Sequence, residues 1–393
     1  MKRKLLPSSP LAQVQQRLAK ECYWDEVEQT LWIDGRKEMP SLGVIEVIGW
    51  DRMMLDSDPI PDYPAGLLVF EWSNFSQLSY WRKQIPKWVC DSCALFPSHQ
   101  LTLLHYCGKY PQILELLDHA PLLAWRLVSS GLEEPEIVAL LSGKRVEMAA
   151  QVGWPGKEET VKFLRNLRLR WINQEIAEQV EICLMDDRRL QALQSLPRIN
   201  SMALSLAARF PELIGCRLHQ ALAQLPCRPM QCQSMVALLE DAYRLAENLE
   251  LSEEEVARIG NSRYLVEVTE IYQAWLKMAV DRAEPQGAEV ESDLIERLRA
   301  SSRPFEKLTN LKDWIQLSVE QQHAWMTDYP SDVSKASTIL IAWMDGDKLW
   351  AALIDSDPQL EHSEIIRVRG EENCLPTSKQ LADLHLWQAT GKL

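Results

Sequence analysis

The stretch YPQILELLDHAPLLAWRLV, residues 110–128, indicates how the middle of this chain folds. Its side chains Ile113, Leu116 and Leu117 have the spacing of one apolar helix face. The pattern breaks and restarts after Pro121, and proline suits the first turn of a helix because the N–H that it lacks has no partner there. The stretch therefore predicts two short helices joined by a tight turn.

The same alternation continues from about residue 98 to about residue 282. Prolines such as Pro111 and Pro135 open apolar-periodic runs, and Ser252 stands three residues before Glu255, which is the spacing of a capping box. Short helices of this kind bury a core only by packing on their neighbours. Because the runs show no strict period, we expect an irregular multi-helix array rather than a regular solenoid.

The N-terminal region predicts a helix over 11–29 and then a small β segment. Three β-branched or aromatic runs bounded by turn residues follow that helix. They are TLWID, GVIEVIGW and GLLVFEW, which together span 30–72.

The C-terminal region predicts a β-meander closed by a helix. In STILIAWMDGDKLWAALIDSD, residues 337–357, two apolar runs flank an Asp-Gly-Asp turn, which is typical of a hairpin. EIIRVRG supplies a third strand, and Thr377 or Ser378 can cap the helix that follows. The fold class that we predict is mainly α (α+β). Its domains are 1–83 (helix and small β segment), 84–283 (helical array) and 284–393 (α+β unit).

Composition limits the classes of function. The 393 residues carry a net charge of −14, with a pI of about 5.1, which argues against nonspecific nucleic-acid binding and against anionic membrane surfaces. No run approaches the roughly 20 apolar residues that span a bilayer, and the N-terminus lacks the apolar part of a signal peptide. Nine cysteines, an odd number, fit a reducing compartment. We therefore expect a cytoplasmic protein with no membrane partner.

Four stretches also carry a family resemblance. They are QVGWPGKEETVKFLRNL, RLQALQSLPRI, IQLSVEQQHAWMTDYPSDVSKASTILIAW and, above all, IIRVRGEENCLPTSKQLADLHLW. Together they resemble the PcfJ-like proteins of bacteria and their mobile elements, from about residue 84 onward. The family is largely uncharacterised, so the resemblance implies a fold and a mobile-element, defence or conjugation context rather than an activity.

The family's C-terminal turn, Gly-x-x-Asn-x-x-Pro before a Trp-bearing helix, matches Gly370, Asn373 and Pro376. Its His-Cys pair falls on His323-Ala324, so the thiol is missing here. If that pair serves chemistry in the family, the resemblance implies that this chain has lost it.

Two groups of cysteines and histidines are candidate metal ligands, because zinc takes four thiolate, imidazole or carboxylate ligands. The alternative is that they are buried helix residues, where cysteine behaves as a small apolar side chain. We favour this alternative and expect neither a metal nor a cofactor. The first group is Cys90 and Cys93 with His99, His105 and Cys107 downstream, and the second is Cys216, His219, Cys227 and Cys232.

The region 144–170 has the outline of a helix-turn-helix, whose basic residues could contact phosphates. The alternative is a solvated face of ion pairs, since 157–198 holds eight Lys or Arg against seven Asp or Glu. The basic candidates are Lys144, Arg145, Lys157, Lys162, Arg165, Arg168 and Arg170.

Other candidates lie in the C-terminal unit. We assign no catalytic residue, although His323, Asp328 and Asn373 could form an acid–base group. Most of the fifteen tryptophans are expected in the core, and several exposed together would mark a protein-binding patch. The candidates for that patch are Trp325, Trp343, Trp350 and Trp387.

These observations favour a non-enzymatic protein-interaction or accessory factor, whose partner is another protein. One alternative is a nucleic-acid-associated factor that uses the basic helices at 144–170. The other is an enzyme whose degenerate site lies in the C-terminal unit.

Overall fold

The computed structural model describes residues 10–72, 76–283, 294–301, 305–330, 338–355 and 364–389. It confirms a mainly α (α+β) fold with a small sheet in the N-terminal part and a second sheet in the C-terminal part. None of the helices in these ranges is both long enough and apolar enough to cross a bilayer.

The contacts divide the chain into two compact units, Ser8–Pro229 and Met230–Leu393. The domains predicted from the sequence placed boundaries near 83 and 283 instead. One apolar core runs without a break from Leu18 to Ala223, and therefore joins the N-terminal sheet to the central helices. The helix Leu265–Ala283 ends at the predicted boundary near 283.

The unit Ser8–Pro229 begins with a helix and a three-stranded antiparallel sheet, in the order Cys22–Asp25, Thr30–Asp34, Val44–Ile48. The predicted strands TLWID and VIEVI are confirmed. The prediction of a strand in GLLVFEW was wrong. The prediction of a helix up to residue 29 was also wrong, because the first helix ends at Leu18. Val69 and Trp72 are buried without strand pairing, so apolar content alone misled the prediction.

Short helices build the rest of this unit, as the sequence predicts. Pro111 and Pro121 each occupy the first turn of a helix. Gly153, with φ of 84°, lies in the turn that follows the helix Arg145–Gln151. The helices are Pro10–Leu18, Trp50–Met53, Ser76–Gln84, Lys87–Cys93, Gln100–Lys109, Pro111–His119, Pro121–Val128, Glu134–Leu141, Arg145–Gln151, Glu158–Asn166, Gln174–Met185, Asp187–Gln194, Ser201–Arg209 and Arg217–Leu222.

The unit Met230–Leu393 contains the two longest helices of the described residues. The capping box at Ser252 and Glu255 is confirmed, since each residue's side chain accepts a hydrogen bond from the other's backbone N–H. The helices are Pro229–Asn248, Glu253–Asn261, Leu265–Ala283, Leu294–Ala300, Leu311–Gln321 and Ser378–Ala389.

A four-stranded antiparallel sheet completes this unit, with one strand more than the sequence predicts. Its order is Glu306–Leu308, Thr338–Asp345, Lys348–Asp355, Glu364–Gly370. Asp345 pairs with Lys348 across the predicted hairpin turn, where Gly346 has φ of 62°. The predicted cap of the last helix is also confirmed, because the Thr377 hydroxyl accepts from the Gln380 N–H.

Candidate functional site

Charged side chains from three parts of the unit Met230–Leu393 meet in its interior. The helix Pro229–Asn248, the turn after the helix Leu311–Gln321, and the end of the strand Glu364–Gly370 each contribute. We name this group the arginine cluster, and its members are Asp241, Arg244, His323, Asp328, Arg367, Arg369 and Asn373.

Asp241 lies at the centre of the arginine cluster and is only 2% exposed. Arg369 donates to its Oδ2 from Nε and Nη2, at 3.3 and 3.2 Å, and Asn373 Nδ2 donates to the same oxygen at 3.3 Å. The other oxygen, Oδ1, lies 3.6 Å from Arg244 Nη2 and 3.8 Å from Arg367 Nε. One buried carboxylate therefore holds three guanidinium groups.

The less buried side of the arginine cluster is formed by Arg244, Asp328 and Arg367. Asp328 Oδ2 accepts from Arg244 Nη1 and from Arg367 Nη1, the latter at 2.8 Å. Arg367 is 14% exposed, and Arg244 and Asp328 are each 21% exposed. A single carboxylate oxygen is thus shared by two arginines at the rim.

His323 is completely buried between Asp241 and Arg244. Its Nδ1 lies 3.4 Å from Asp241 Oδ2, and its Nε2 lies 3.5 Å from Arg244 Nη2. Because arginine nitrogens only donate, Nε2 is the acceptor and Nδ1 carries the proton of the neutral ring. Burial lowers the pKa of His323 to about 4 despite the attraction of Asp241, so the ring is neutral at pH 7.

The charges of the arginine cluster do not balance. Burial by itself would raise the pKa of Asp241, but the pKa is lowered because His323, Arg369 and Arg244 stabilise the carboxylate. Burial also lowers the pKa of Arg367, and the nearby guanidinium of Arg244 lowers it further. With His323 neutral, three guanidinium cations face two carboxylates, which leaves one positive charge without a partner in the cluster.

The turn that carries the family resemblance positions Asn373. Its backbone is left-handed, with φ of 57°. The turn begins at Gly370, where an added Cβ would lie 3.0 Å from the ring of Trp350 and 2.8 Å from Cys374 Sγ. Asn373 Oδ1 is buried and accepts no hydrogen bond from the described residues. Only glycine allows the backbone at position 370 to lie this close to Trp350 and to Cys374 Sγ.

The residue after His323, where the resemblance implies a lost thiol, is also buried. Ala324 is fully buried, and its N–H donates to the Tyr272 hydroxyl at 3.0 Å. Gln322, with a left-handed φ of 52°, ends the helix Leu311–Gln321 immediately before His323. The structure thus brings together all three acid–base candidates, His323, Asp328 and Asn373, but it buries the imidazole completely.

The first group of candidate metal ligands is not assembled. Cys93 is completely buried beside Cys107, and burial raises its pKa, so the thiol stays protonated. His105 instead lies between the Tyr63 hydroxyl and Asp56. Cys90 is half-buried, and burial raises its pKa to about 11. Among the described residues no three His, Cys, Asp or Glu side chains could hold a metal ion.

The second group is likewise built into the core. His219 is fully buried, and its two ring nitrogens meet the Gly215 N–H at 3.0 Å and the Ala203 carbonyl at 3.1 Å. Cys216 Sγ accepts from the His219 N–H, which makes it a helix cap. Cys227 and Cys232 are buried as well. His219, Cys227 and Cys232 therefore have the surroundings of core residues, and Cys216 is half-buried as a helix cap.

The basic residues at 144–170 do lie on two helices joined by a turn, Arg145–Gln151 and Glu158–Asn166. Arg145 pairs with Glu115 at 2.7 Å, and Lys157 with Asp187 at 2.9 Å. A cavity of about 550 Å³ is lined by basic and acidic residues together. The basic ones are Lys162, Arg165 and Arg168, beside Asp118, Glu158 and Glu159, while Lys144 and Arg170 lie outside its lining. The face is therefore mixed in charge.

The candidate tryptophans do not form an exposed patch. Trp325, Trp343 and Trp350 are at most 7% exposed, because the last two lie on the inner face of the hairpin and stack with centroids 6.3 Å apart. Trp387 is half-buried against Phe305. Their predicted role as an interaction surface is wrong for the three buried indoles.

Four members of the arginine cluster are not among the residues predicted from the sequence: Asp241, Arg244, Arg367 and Arg369. A signal was available for three of them. Arg367 and Arg369 alternate along a strand and so share one face. Asp241 also stands among buried positions of an amphipathic helix. Charged residues on buried faces are rarely without a partner.

Comparisons with known proteins return no family model, no curated protein and no solved structure that matches this chain. The resemblance to the PcfJ-like proteins therefore stays a prediction.

Proposed function

We propose that the unit Met230–Leu393 binds a phosphate group at the arginine cluster. The observation that carries this proposal is the surplus guanidinium charge beside a buried carboxylate. Leaving a buried charge uncompensated is costly, so an anion from outside would stabilise the cluster.

The donors of Arg367 favour phosphate over a simple halide. Arginine has five N–H donors in a planar fork, and the hydrogen bonds of the Arg367 guanidinium within the described residues use only one of them, to Asp328. Arg244 shares the same carboxylate oxygen. Guanidinium forks match the several oxygens of a phosphate in geometry as well as charge.

Binding fits the arginine cluster better than catalysis does. Histidine is the residue type in the cluster whose ordinary pKa is closest to 7, so His323 would be the natural acid–base group. Its side chain is 0% exposed, however, and its Nε2 faces Arg244. A general base must reach the proton that it removes. His323 therefore serves to orient Asp241 and Arg244. Such a unit suits the accessory role that the sequence predicts, and the mobile-element context stays a prediction.

The experiment is isothermal titration of the full chain with inorganic phosphate at fixed ionic strength, with pyrophosphate and acetate as further arms. We expect saturable binding of phosphate or pyrophosphate, tighter than that of acetate. Arg367→Gln and Arg244→Gln should each weaken it by about tenfold, since a charged hydrogen bond contributes roughly 1.5–3 kcal/mol.

Arg299→Gln is the matched control, because Arg299 is an exposed arginine of the same unit. It should bind as the wild type does. The proposal fails if the wild type binds neither phosphate nor pyrophosphate, if acetate binds equally well, or if Arg299→Gln loses as much affinity as Arg367→Gln. Far-UV circular dichroism checks that each variant is folded.

A further inference from the structure

The unit Ser8–Pro229 contains a cleft of about 1180 Å³ that the arginine cluster does not involve. One wall is the proline-rich loop 57–65, and the other is formed by the helix Gln100–Lys109 and the residues around 128–138. Its volume lies slightly above the roughly 300–1,000 Å³ that ligand sites occupy. It is therefore large enough for a small organic molecule.

Glu134 holds the loop to the helix wall. Its Oε2 accepts from the Ile60 N–H at 2.8 Å, and its Oε1 accepts from Lys109 Nζ at 2.7 Å and from the Tyr110 hydroxyl. Lys109 Nζ also donates to the Asp58 carbonyl at 2.6 Å. Lys109 and Glu134 thus neutralise each other and have their hydrogen-bond partners within the walls of the cleft.

Two other carboxylates, Asp62 and Glu133, line the cleft, and the Glu133 side chain also takes part in the capping box of the helix Glu134–Leu141. Both are exposed, and neither forms an ion pair with a residue that the structure describes. His99 also lines the cleft, and burial lowers its pKa, so it adds no positive charge at pH 7. The cleft therefore has a negative balance.

Tyr106 provides an independent sign of a ligand. It is 96% buried, since only 4% of it is exposed, and it lines the cleft. Its hydroxyl makes no hydrogen bond with the described part of the chain and is not fully enclosed, so it opens onto the cleft. The neighbouring ring of Tyr110 has its centroid 5.9 Å away and already has the Lys109 ammonium 5.5 Å from its face. Phenol faces and carboxylates together are the groups that recognise organic ammonium ions.

His99 shows that the backbone is constrained at the same place. It takes a left-handed φ of 56° at the start of the helix Gln100–Lys109, and its N–H donates to the Ala65 carbonyl of the loop at 2.8 Å. Non-glycine residues adopt this conformation at a cost, and such positions concentrate at binding sites.

We infer that this cleft binds an organic polyamine, with ammonium groups on Asp62 and Glu133 and an N–H or hydroxyl partner for the Tyr106 hydroxyl. Two carboxylates on opposite walls favour a ligand with at least two cationic groups over a single amine. The site is separate from the arginine cluster in both residues and charge, so either proposal can fail without the other.

Titration calorimetry of the full chain with spermidine, at fixed ionic strength, tests the inference. We expect saturable binding that Asp62→Asn combined with Glu133→Gln weakens by about tenfold, from roughly 0.7 kcal/mol for each exposed ion pair. Butylamine, which has one ammonium group, should bind several-fold more weakly than spermidine. Tyr106→Phe, which keeps the ring, should also weaken spermidine binding.

Glu26→Gln combined with Glu28→Gln is the matched control, because it removes two exposed negative charges from the same unit but outside the cleft. It should bind spermidine as the wild type does. The inference is overturned if spermidine does not bind saturably, if butylamine binds as tightly, or if the control pair weakens binding as much as the cleft pair. Should the cleft pair fail to fold, unchanged binding by Tyr106→Phe would overturn it instead.

Discussion

His323 and His105 are both buried beside an aspartate, but their surroundings differ. In the unit Ser8–Pro229, His105 Nδ1 meets the Tyr63 hydroxyl at 3.0 Å and Nε2 meets Asp56 at 3.1 Å. In the unit Met230–Leu393, His323 faces Asp241 on one side and the guanidinium of Arg244 on the other. Burial lowers the pKa of both rings.

The comparison separates a closed polar network from an open one. Both ring nitrogens of His105 have a partner in Tyr63 and Asp56, and the Asp56 carboxylate, 16% exposed, is also reached by solvent, which is the expected state of buried polar groups. The arginine cluster satisfies its carboxylates but keeps more guanidinium charge than it neutralises. The first network needs nothing from outside, and the second is the one for which an external anion is expected.

The largest effect should follow from removing the central carboxylate. Asp241→Asn leaves Arg244, Arg367 and Arg369 without their shared partner, and breaking a buried ion pair costs roughly 3–5 kcal/mol. Urea unfolding of the full chain, followed by tryptophan fluorescence, should show this loss in free energy of unfolding. Asp281→Asn, at an exposed position, should change it by less than about 0.5 kcal/mol. A loss under about 1 kcal/mol for Asp241→Asn would contradict the central role of this carboxylate.

The next effect is a dependence on pH. His323 has a pKa of about 4 in the folded protein and an ordinary pKa of 6.5 in the unfolded chain. Between these two pH values the unfolded chain therefore binds more protons than the folded protein. Stability from this group is complete above about pH 6.5 and is lost as the pH falls towards 4, by about 3 kcal/mol.

This pH effect is measured by comparing urea unfolding at pH 7 and pH 4.5 for the wild type and for His323→Gln. The loss of stability on acidification should be smaller in the variant, because glutamine does not titrate. His119→Gln, at an exposed histidine, should lose as much stability as the wild type. Equal losses in His323→Gln and the wild type would show that His323 is not the group responsible.

The smallest effect concerns the closed network. Tyr63→Phe removes the hydroxyl that meets His105 Nδ1 and leaves a buried nitrogen without a partner, which costs about 1–2 kcal/mol. The same unfolding measurement at pH 7 detects it, with Tyr80→Phe at an exposed ring as the control. If Tyr63→Phe leaves the free energy of unfolding unchanged, the hydroxyl is not needed as the partner of His105 Nδ1.

The sequence predicts the local elements well where a backbone rule applies. Pro111 and Pro121 open helices, Ser252 caps one, and Gly346 makes the hairpin turn. The strand predicted in GLLVFEW was wrong, because buried apolar residues can lie in irregular loops as well as in strands. Of the candidate site, His323, Asp328 and Asn373 were found, while the four charged residues that surround them were not.

The sequence by itself determined where helices start, where strands turn and which faces are apolar, because these depend on residues a few positions apart. Only the tertiary structure decided which polar groups meet. Asp241 and Arg369 are 128 residues apart in the chain, and Tyr63 and His105 are 42 apart. No local pattern encodes such pairs, since they form only when the apolar faces around them have packed and water has been excluded.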